Sequence, residues 1–225
     1  MSKFKQFLVT RIIKVVQKFG PKEVEVLGRR YVVNEEVFNP KFYITSEFMA
    51  KHINVQPEDF VLDMGTGSGI QAITAGQTAL KVVAVDINPQ AVRCAATNVE
   101  RHGLKNTISV LRGDLFAPLP PETKFNVIIF TPPYLEGHTK RNLDYALCDP
   151  GKSLVKRFFG KAKSYLKPDG YVQMVYSSLA DPGRVLDIAS EFSWDWSVVS
   201  RKKDFFETFL IWKFTPGGNK VTTCA

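Results

Sequence analysis

The stretch Val61-Leu62-Asp63-Met64-Gly65-Thr66-Gly67-Ser68-Gly69-Ile70 places one carboxylate and three glycines between a short apolar run and a helical segment. Glycines let a backbone take positive φ and come close to a ligand. A turn at the carboxyl end of a first strand is where open α/β sheets bind ligands. A dinucleotide fingerprint needs G-x-G-x-x-G, with a diphosphate resting on a helix N-terminus. Here the spacing is G-x-G-x-G, Ile70 follows the last glycine, and Asp63 stands two residues before Gly65. A carboxylate at that point repels a diphosphate and suits a ligand with an ammonium or sulfonium group. Asp86 ends the run Val82-Val83-Ala84-Val85, 17 residues after Gly69. A carboxylate at a strand tip accepts hydrogen bonds from both hydroxyls of a ribose. Asp114 follows a third apolar run, where it can accept from the amino group of adenine, with Leu115 packed on the ring. Thr66, Ile87 and Thr131 complete this candidate binding set.

A fourth run, Phe125 to Phe130, ends in Thr131-Pro132-Pro133-Tyr134. Two prolines stiffen the corner. The Pro132 carbonyl can accept an N–H, and Tyr134 can stack on a planar amide or base. The ordered series of Asp63, the glycines, Asp86 and Asp114 resembles the class I S-adenosylmethionine (SAM)-dependent methyltransferases over residues 58–214. The Thr-Pro-Pro-Tyr corner is similar to the N-P-P-Y/F motif of the short HemK-like enzymes. That motif marks methyltransferases acting on nitrogen in proteins, DNA and RNA. Thr131 departs from it: asparagine offers both an acceptor and a donor to a carboxamide, and threonine offers one hydroxyl. The resemblance implies SAM as cofactor and in-line methyl transfer to a nitrogen of a protein side chain or nucleic acid, with Thr131, Pro132, Pro133 and Tyr134 at the reaction. Two alternatives stay open: a small-molecule acceptor, and a non-catalytic SAM-binding subunit. A dinucleotide dehydrogenase conflicts with Asp63 and Ile70.

The elements that carry these residues follow from periodicity. Residues 2–19 form an amphipathic helix stopped by Gly20-Pro21, and Glu23 to Val33 reads as a hairpin around Gly28. A helix over 44–54 precedes strands at 60–62, 81–85, 107–111, 125–130 and 171–176, with helices over 69–79, 89–102, 152–166 and 181–192. Lys167-Pro168-Asp169-Gly170 reads as the close of a helix. Runs at 195–200 and 205–214 lack a helix between them and predict an antiparallel pair turning at Arg201-Lys202-Lys203. The expected fold is a Rossmann-like seven-stranded, mostly parallel sheet with an antiparallel C-terminal hairpin and helices on both faces. Residues 1–57 are expected to supply a helix, a hairpin and a segment covering substrate and cofactor; residues 215–225 are expected to be a flexible tail. The run Val37 to Ser46 occupies the place of the cofactor-covering segment of the HemK-like proteins, and Cys148 to Leu154 resembles their entry into the next helix. The loop 135–145 is a candidate lid carrying His138, a candidate base, and Tyr145; Tyr43 is a further candidate acceptor contact.

The net charge of +8 suits an acidic partner. Lys3, Lys5, Arg11, Lys14, Lys18 and Lys22 cluster near the first helix, and Lys140, Arg141, Lys152 and Arg157 flank the lid, so nucleic-acid contact is a candidate role. The three cysteines, Cys94, Cys148 and Cys224, lie far apart and form neither a metal motif nor a disulfide framework, which fits reduced thiols in the cytoplasm. No metal site and no membrane span are expected.

Overall fold

The computed structural model describes residues 19–135, 146–204 and 207–217. The first amphipathic helix, the candidate lid and the tail beyond residue 217 therefore lie outside the described residues, apart from Phe19 and Leu135 at their borders. Strands β1 (Glu23–Val26) and β2 (Arg29–Val32) form the expected hairpin. Helix α1 (Ile44–Lys51) leads into the central sheet.

That sheet alternates strand and helix through β3 (Phe60–Met64), α2 (Ile70–Ala75), β4 (Lys81–Asp86), α3 (Pro89–Arg101), β5 (Ile108–Arg112) and β6 (Phe125–Phe130). It continues through α4 (Ser153–Ala162), β7 (Leu166–Ser177), α5 (Pro182–Glu191), β8 (Trp194–Lys203) and β9 (Thr208–Pro216). The seven strands run in the order β5-β4-β3-β6-β7-β9-β8. The first five are mutually parallel, and β9 pairs antiparallel with both β7 and β8. Strand β3 is followed by a neighbour on one side and β6 lies on its other side, so the order reverses between them. This is the switch point where an open sheet leaves a crevice beyond its strand ends.

Buried strands carry continuous apolar runs because both faces are covered. One core holds Leu62, Ile128, Phe158, Met174 and Trp212. The opposite core holds Val61, Ile73, Val127 and Ile211, and the hairpin and α1 join it through Val24, Tyr31, Phe48 and Met49. Helix α3 starts where the sequence signals it: Pro89 is its first residue and the Asn88 side chain accepts from the Gln90 N–H at 2.9 Å. Helix α4 is held at its start by Asp149, whose carboxylate accepts from the backbone of Leu154 at 2.8 Å and Val155 at 3.1 Å.

Three local expectations are corrected. Arg201, Lys202 and Lys203 do not form the last turn; they extend β8 and pair with Leu210, Phe209 and Thr208. Strand β8 is the sheet edge and alternates exposed with half-buried positions, so charged residues continue it without cost. Lys167 to Gly170 does not leave the sheet either: it forms an irregularity within β7, where the pairing with β6 jumps from Leu166 to Tyr171. The helix expected over 152–166 is regular only from Ser153 to Ala162, with a short 3-10 turn on each side. Among the described residues no helix is long and apolar enough to cross a membrane.

Candidate active site

The loop after β3 is shaped by one buried carboxylate. Asp63 is 1% exposed; its Oδ2 accepts from Thr66 Oγ1 at 2.6 Å and from the Ala72 N–H at 3.0 Å. It thus ties the glycine turn to the first turn of α2. Burial pushes the Asp63 carboxyl up to about 7, and nearby Asp86 adds to the shift. The N–H groups of Gly65 and Thr66 both donate to the Val85 carbonyl, at 2.8 and 3.0 Å. Gly67 N–H donates to Asp86 Oδ2 at 2.9 Å, and Asn88 N–H donates to Asp86 Oδ1 at 2.9 Å. Burial raises Asp86 as well, opposed by these backbone donors. The loop is therefore set by two carboxylates before any ligand arrives.

Gly65, Gly67 and Gly69 all have positive φ, at 71°, 56° and 85°. Gly69 carries a second constraint: a Cβ there would lie 3.3 Å from Ala95 on α3. Its role is close helix packing as well as the turn.

One cavity lies over the carboxyl ends of β3, β4 and β6. Gly65, Thr66, Gly67, Asp86, Ile87, Asp114 and Leu115 line it, together with Thr131, Pro132, Pro133 and Tyr134. Asp63 and Gly69 do not line it, which corrects the expectation that the Asp63 carboxylate faces the ligand. Both of its observed bonds are internal, so Asp63 acts on a ligand through the loop and through its field. Ile87 is 48% exposed on the cavity rim, an apolar side chain placed to cover a ring. Asp114 pairs with Arg157, whose side chain stays more than half exposed outside the cavity.

The residues present fit SAM. Three cavity-lining oxygens, Thr45 Oγ1, Gln71 Oε1 and Thr131 Oγ1, are buried without a hydrogen-bond partner among the described residues. Buried polar atoms are normally satisfied, so their convergence on one cavity marks a polar ligand. Gly67 leaves open space where a Cβ would stand. The carboxylate pair of Asp63 and Asp86 below the loop matches a cation and opposes a diphosphate. Thr45 and Gln71 were not singled out by the motifs; only the position of Thr45 in the covering segment hinted at it. Gln71 Nε2 donates to the Ser46 carbonyl at 3.0 Å, joining that segment to α2. Asn88 Nδ2 donates to the Glu36 carbonyl at 2.9 Å and fastens its other end.

The far wall differs in character. Tyr134 meets Tyr176 edge-on, with ring centroids 5.9 Å apart. Burial pushes its phenol well above the ordinary tyrosine range, and Glu207 and Tyr43 add to this. Tyr43 stacks on Phe38 at 3.8 Å, and burial pushes its phenol up to about 12. Lys152, expected among the basic residues flanking the lid, is 3% exposed; its backbone is left-handed (φ 58°) and its Nζ donates to the Tyr134 carbonyl at 3.4 Å. His138, Lys140, Arg141 and Tyr145 lie outside the described residues. Among the described residues no cluster of metal-ligating side chains occurs.

The chain is similar to known proteins in sequence and in fold. The family described as Methyltransferase small domain matches residues 32–205. A Methanocaldococcus jannaschii protein named for protein N5-glutamine methylation is 31% identical over 84% of this chain and 96% of its own length. The ribosomal protein uL3 glutamine methyltransferase of Burkholderia pseudomallei is 32% identical over 70% of this chain, which spans 58% of that relative. Among solved structures, the E. cuniculi Mtq2–Trm112 complex, responsible for methylation of the termination factor eRF1, superposes with a TM-score of 0.61 at 18% identity, over 80% of this chain and 98% of that one. This last likeness speaks for the fold.

Proposed function

The chain belongs to the Methyltransferase small domain family and is a SAM-dependent N-methyltransferase; from that premise we propose that its acceptor is a nitrogen of a protein side chain, methylated at the Thr131–Tyr134 corner. The relatives named for glutamine methylation support a protein acceptor. The observation that carries the reading is the sharing of one cavity by Asp86 at one end and Thr131 to Tyr134 at the other. When bound, SAM would supply an electrophilic methyl group to the acceptor nitrogen, which would give up one N–H proton.

The chain's own residues do the rest by position. Asp86 would accept from the ribose hydroxyls, and Ile87 and Leu115 would hold the adenine. Asp114, paired with Arg157, would accept from its amino group. Gly65, Thr66 and Gly67 would give the amino-acid end of the donor a close backbone. The Pro132 carbonyl accepts one N–H of the acceptor and fixes its lone pair towards the methyl carbon. Tyr134 packs on the acceptor's plane and excludes water. Positioning of this kind is worth roughly 7–11 kcal/mol of barrier. The segment 35–46 covers the donor, and the protein works in the cytoplasm, where Cys94 and Cys148 stay as thiols.

The test is methyl-labelled SAM with fractionated cell extract and purified protein. The reading expects label in a protein band that survives nuclease, disappears with protease, and yields an N-methylated side chain on digestion. Label confined to RNA or to small molecules overturns it.

A further inference from the structure

We propose that Glu207, carried in by the turn of the C-terminal hairpin, is an acceptor-side residue that accepts a hydrogen bond from the reacting nitrogen and takes the proton it sheds. This deepens the function proposed above and rests on it.

Glu207 is half-buried, and two contacts hold its turn against the end of β7. Ser177, fully buried, donates its hydroxyl to Glu207 Oε2. One residue on, the Thr208 N–H donates to Ser178 Oγ at 2.8 Å. Ser177 follows Tyr176, whose ring faces Tyr134. Strand β7 pairs with β6 up to Phe130 opposite Met174, so Ser177 stands beside the Thr131–Tyr134 corner that continues β6. Strand β9 runs antiparallel to β7 and starts at Thr208, so Glu207 stands at the same end of the sheet as the Thr131–Tyr134 corner. Burial also keeps Glu207 easier to protonate than an ordinary glutamate, which suits a group that must receive a proton.

Thr131 leaves a role for such a group. An asparagine side chain presents a carbonyl acceptor and an amide donor to the acceptor nitrogen and its neighbour. The Thr131 hydroxyl presents one oxygen, buried and without a partner among the described residues. A carboxylate beside this corner supplies the missing acceptor. The proton balance closes: the nitrogen gains the methyl carbon and loses one N–H proton, sulfur keeps the C–S electron pair, and the carboxylate becomes a neutral acid. The acceptor class this selects is a nitrogen with at least two N–H bonds, such as a primary carboxamide or a primary amine.

The test needs no acceptor. Sinefungin carries an ammonium where SAM carries its methyl-sulfonium, and S-adenosylhomocysteine carries neither charge. Titration calorimetry of both on the full chain and on Glu207→Gln is expected to show a 5- to 10-fold loss of sinefungin affinity and less than a 2-fold change for S-adenosylhomocysteine. Ser177→Ala, which releases the carboxylate but keeps it, is expected to lose 2- to 3-fold for sinefungin alone. An unchanged sinefungin to S-adenosylhomocysteine ratio in Glu207→Gln overturns the proposal. Loss of both ligands together also overturns it, because Glu207 would then act on the fold. Failure of the parent protein to bind S-adenosylhomocysteine is a separate result, and overturns the donor site itself.

Discussion

The two walls of the cavity are made in different ways. The donor wall comes from consecutive strand ends: the loop after β3, Asp86 at the end of β4 and Asp114 just beyond β5. Its groups are backbone N–H donors and carboxylates, linked to one another by hydrogen bonds of 2.6–3.0 Å. The acceptor wall is the Thr131–Tyr134 corner, and the side chains behind it are far apart in sequence: Tyr176 meets the Tyr134 ring, Lys152 reaches the Tyr134 carbonyl, and Ser177 beside Tyr176 holds Glu207. A wall built from backbone fits one cofactor tightly. A wall built from side chains can change its acceptor without disturbing the donor.

If the walls are separable, each can be broken alone. Tyr134→Ala removes the acceptor plane and is expected to lower kcat/KM on the order of 100-fold, about 2.7 kcal/mol of transition-state stabilisation. SAM affinity, read by calorimetry, stays within about 2-fold of the parent because no donor group is touched. A joint collapse of both quantities contradicts separability.

Asp86→Ala is the reciprocal break. It removes the two proposed ribose contacts and the partner of the Gly67 and Asn88 N–H groups. Hydrogen bonds to a charged group contribute roughly 1.5–3 kcal/mol each, so at the low end of that range the loss of two lowers SAM affinity about 100-fold. Unchanged affinity removes the ribose assignment.

Gly69→Ala tests the packing behind the donor wall. The residue sits at φ 85° with Ala95 3.3 Å from the new methyl group. Urea midpoints are expected to show a loss of about 1–2 kcal/mol. A neutral result would mean that the loop shifts freely against α3.

Asp63 sharpens the comparison through pH. Its carboxyl is pushed from 3.8 up to about 7 in the fold, so the folded state holds the proton more tightly than the unfolded chain. Stability without ligand therefore falls as pH rises from near 3.8 towards about 7 and levels off above. A cationic donor favours the ionised form, so SAM affinity rises over the upper part of that window. Asp63→Asn keeps an oxygen for Thr66 and Ala72 and is expected to flatten both slopes, measured by urea midpoints and calorimetry between about pH 5 and about pH 8. Slopes that persist in the variant assign them to another group. The smallest effect is expected of Thr131→Asn, which changes acceptor preference with SAM affinity within about 2-fold; a large loss of SAM binding would place Thr131 on the donor wall instead.

The same division decides what the sequence revealed. Strand ends are local: an apolar run closed by a carboxylate or a glycine turn can be read directly, and Asp86, Asp114 and Thr131 to Tyr134 all fell on the cavity as expected. Asp63 was found but its direction was not, because one bond to Thr66 and one to Ala72 turn it away from the cavity. Lys152 looked like a solvated lysine; only the left-handed backbone at Gly151 and Lys152 reverses its side chain. The Arg201–Lys203 cluster looked like a turn because local polarity does not distinguish an edge strand from a loop. Glu207 had no local signal, since its meaning comes from Ser177, 30 residues away. The Lys167–Gly170 misreading has the same origin: a Cβ at Gly170 would approach the Phe125 carbonyl to 2.8 Å, a close strand contact that local turn chemistry does not reveal.

The most direct measurement is a crystal structure with S-adenosylhomocysteine bound. The two-wall account predicts both ribose hydroxyls on the Asp86 carboxylate, the adenine between Ile87 and Leu115, and the sulfur facing Thr131 to Tyr134. A ribose away from Asp86, or a sulfur pointing out of the cavity on the side opposite Tyr134, contradicts it.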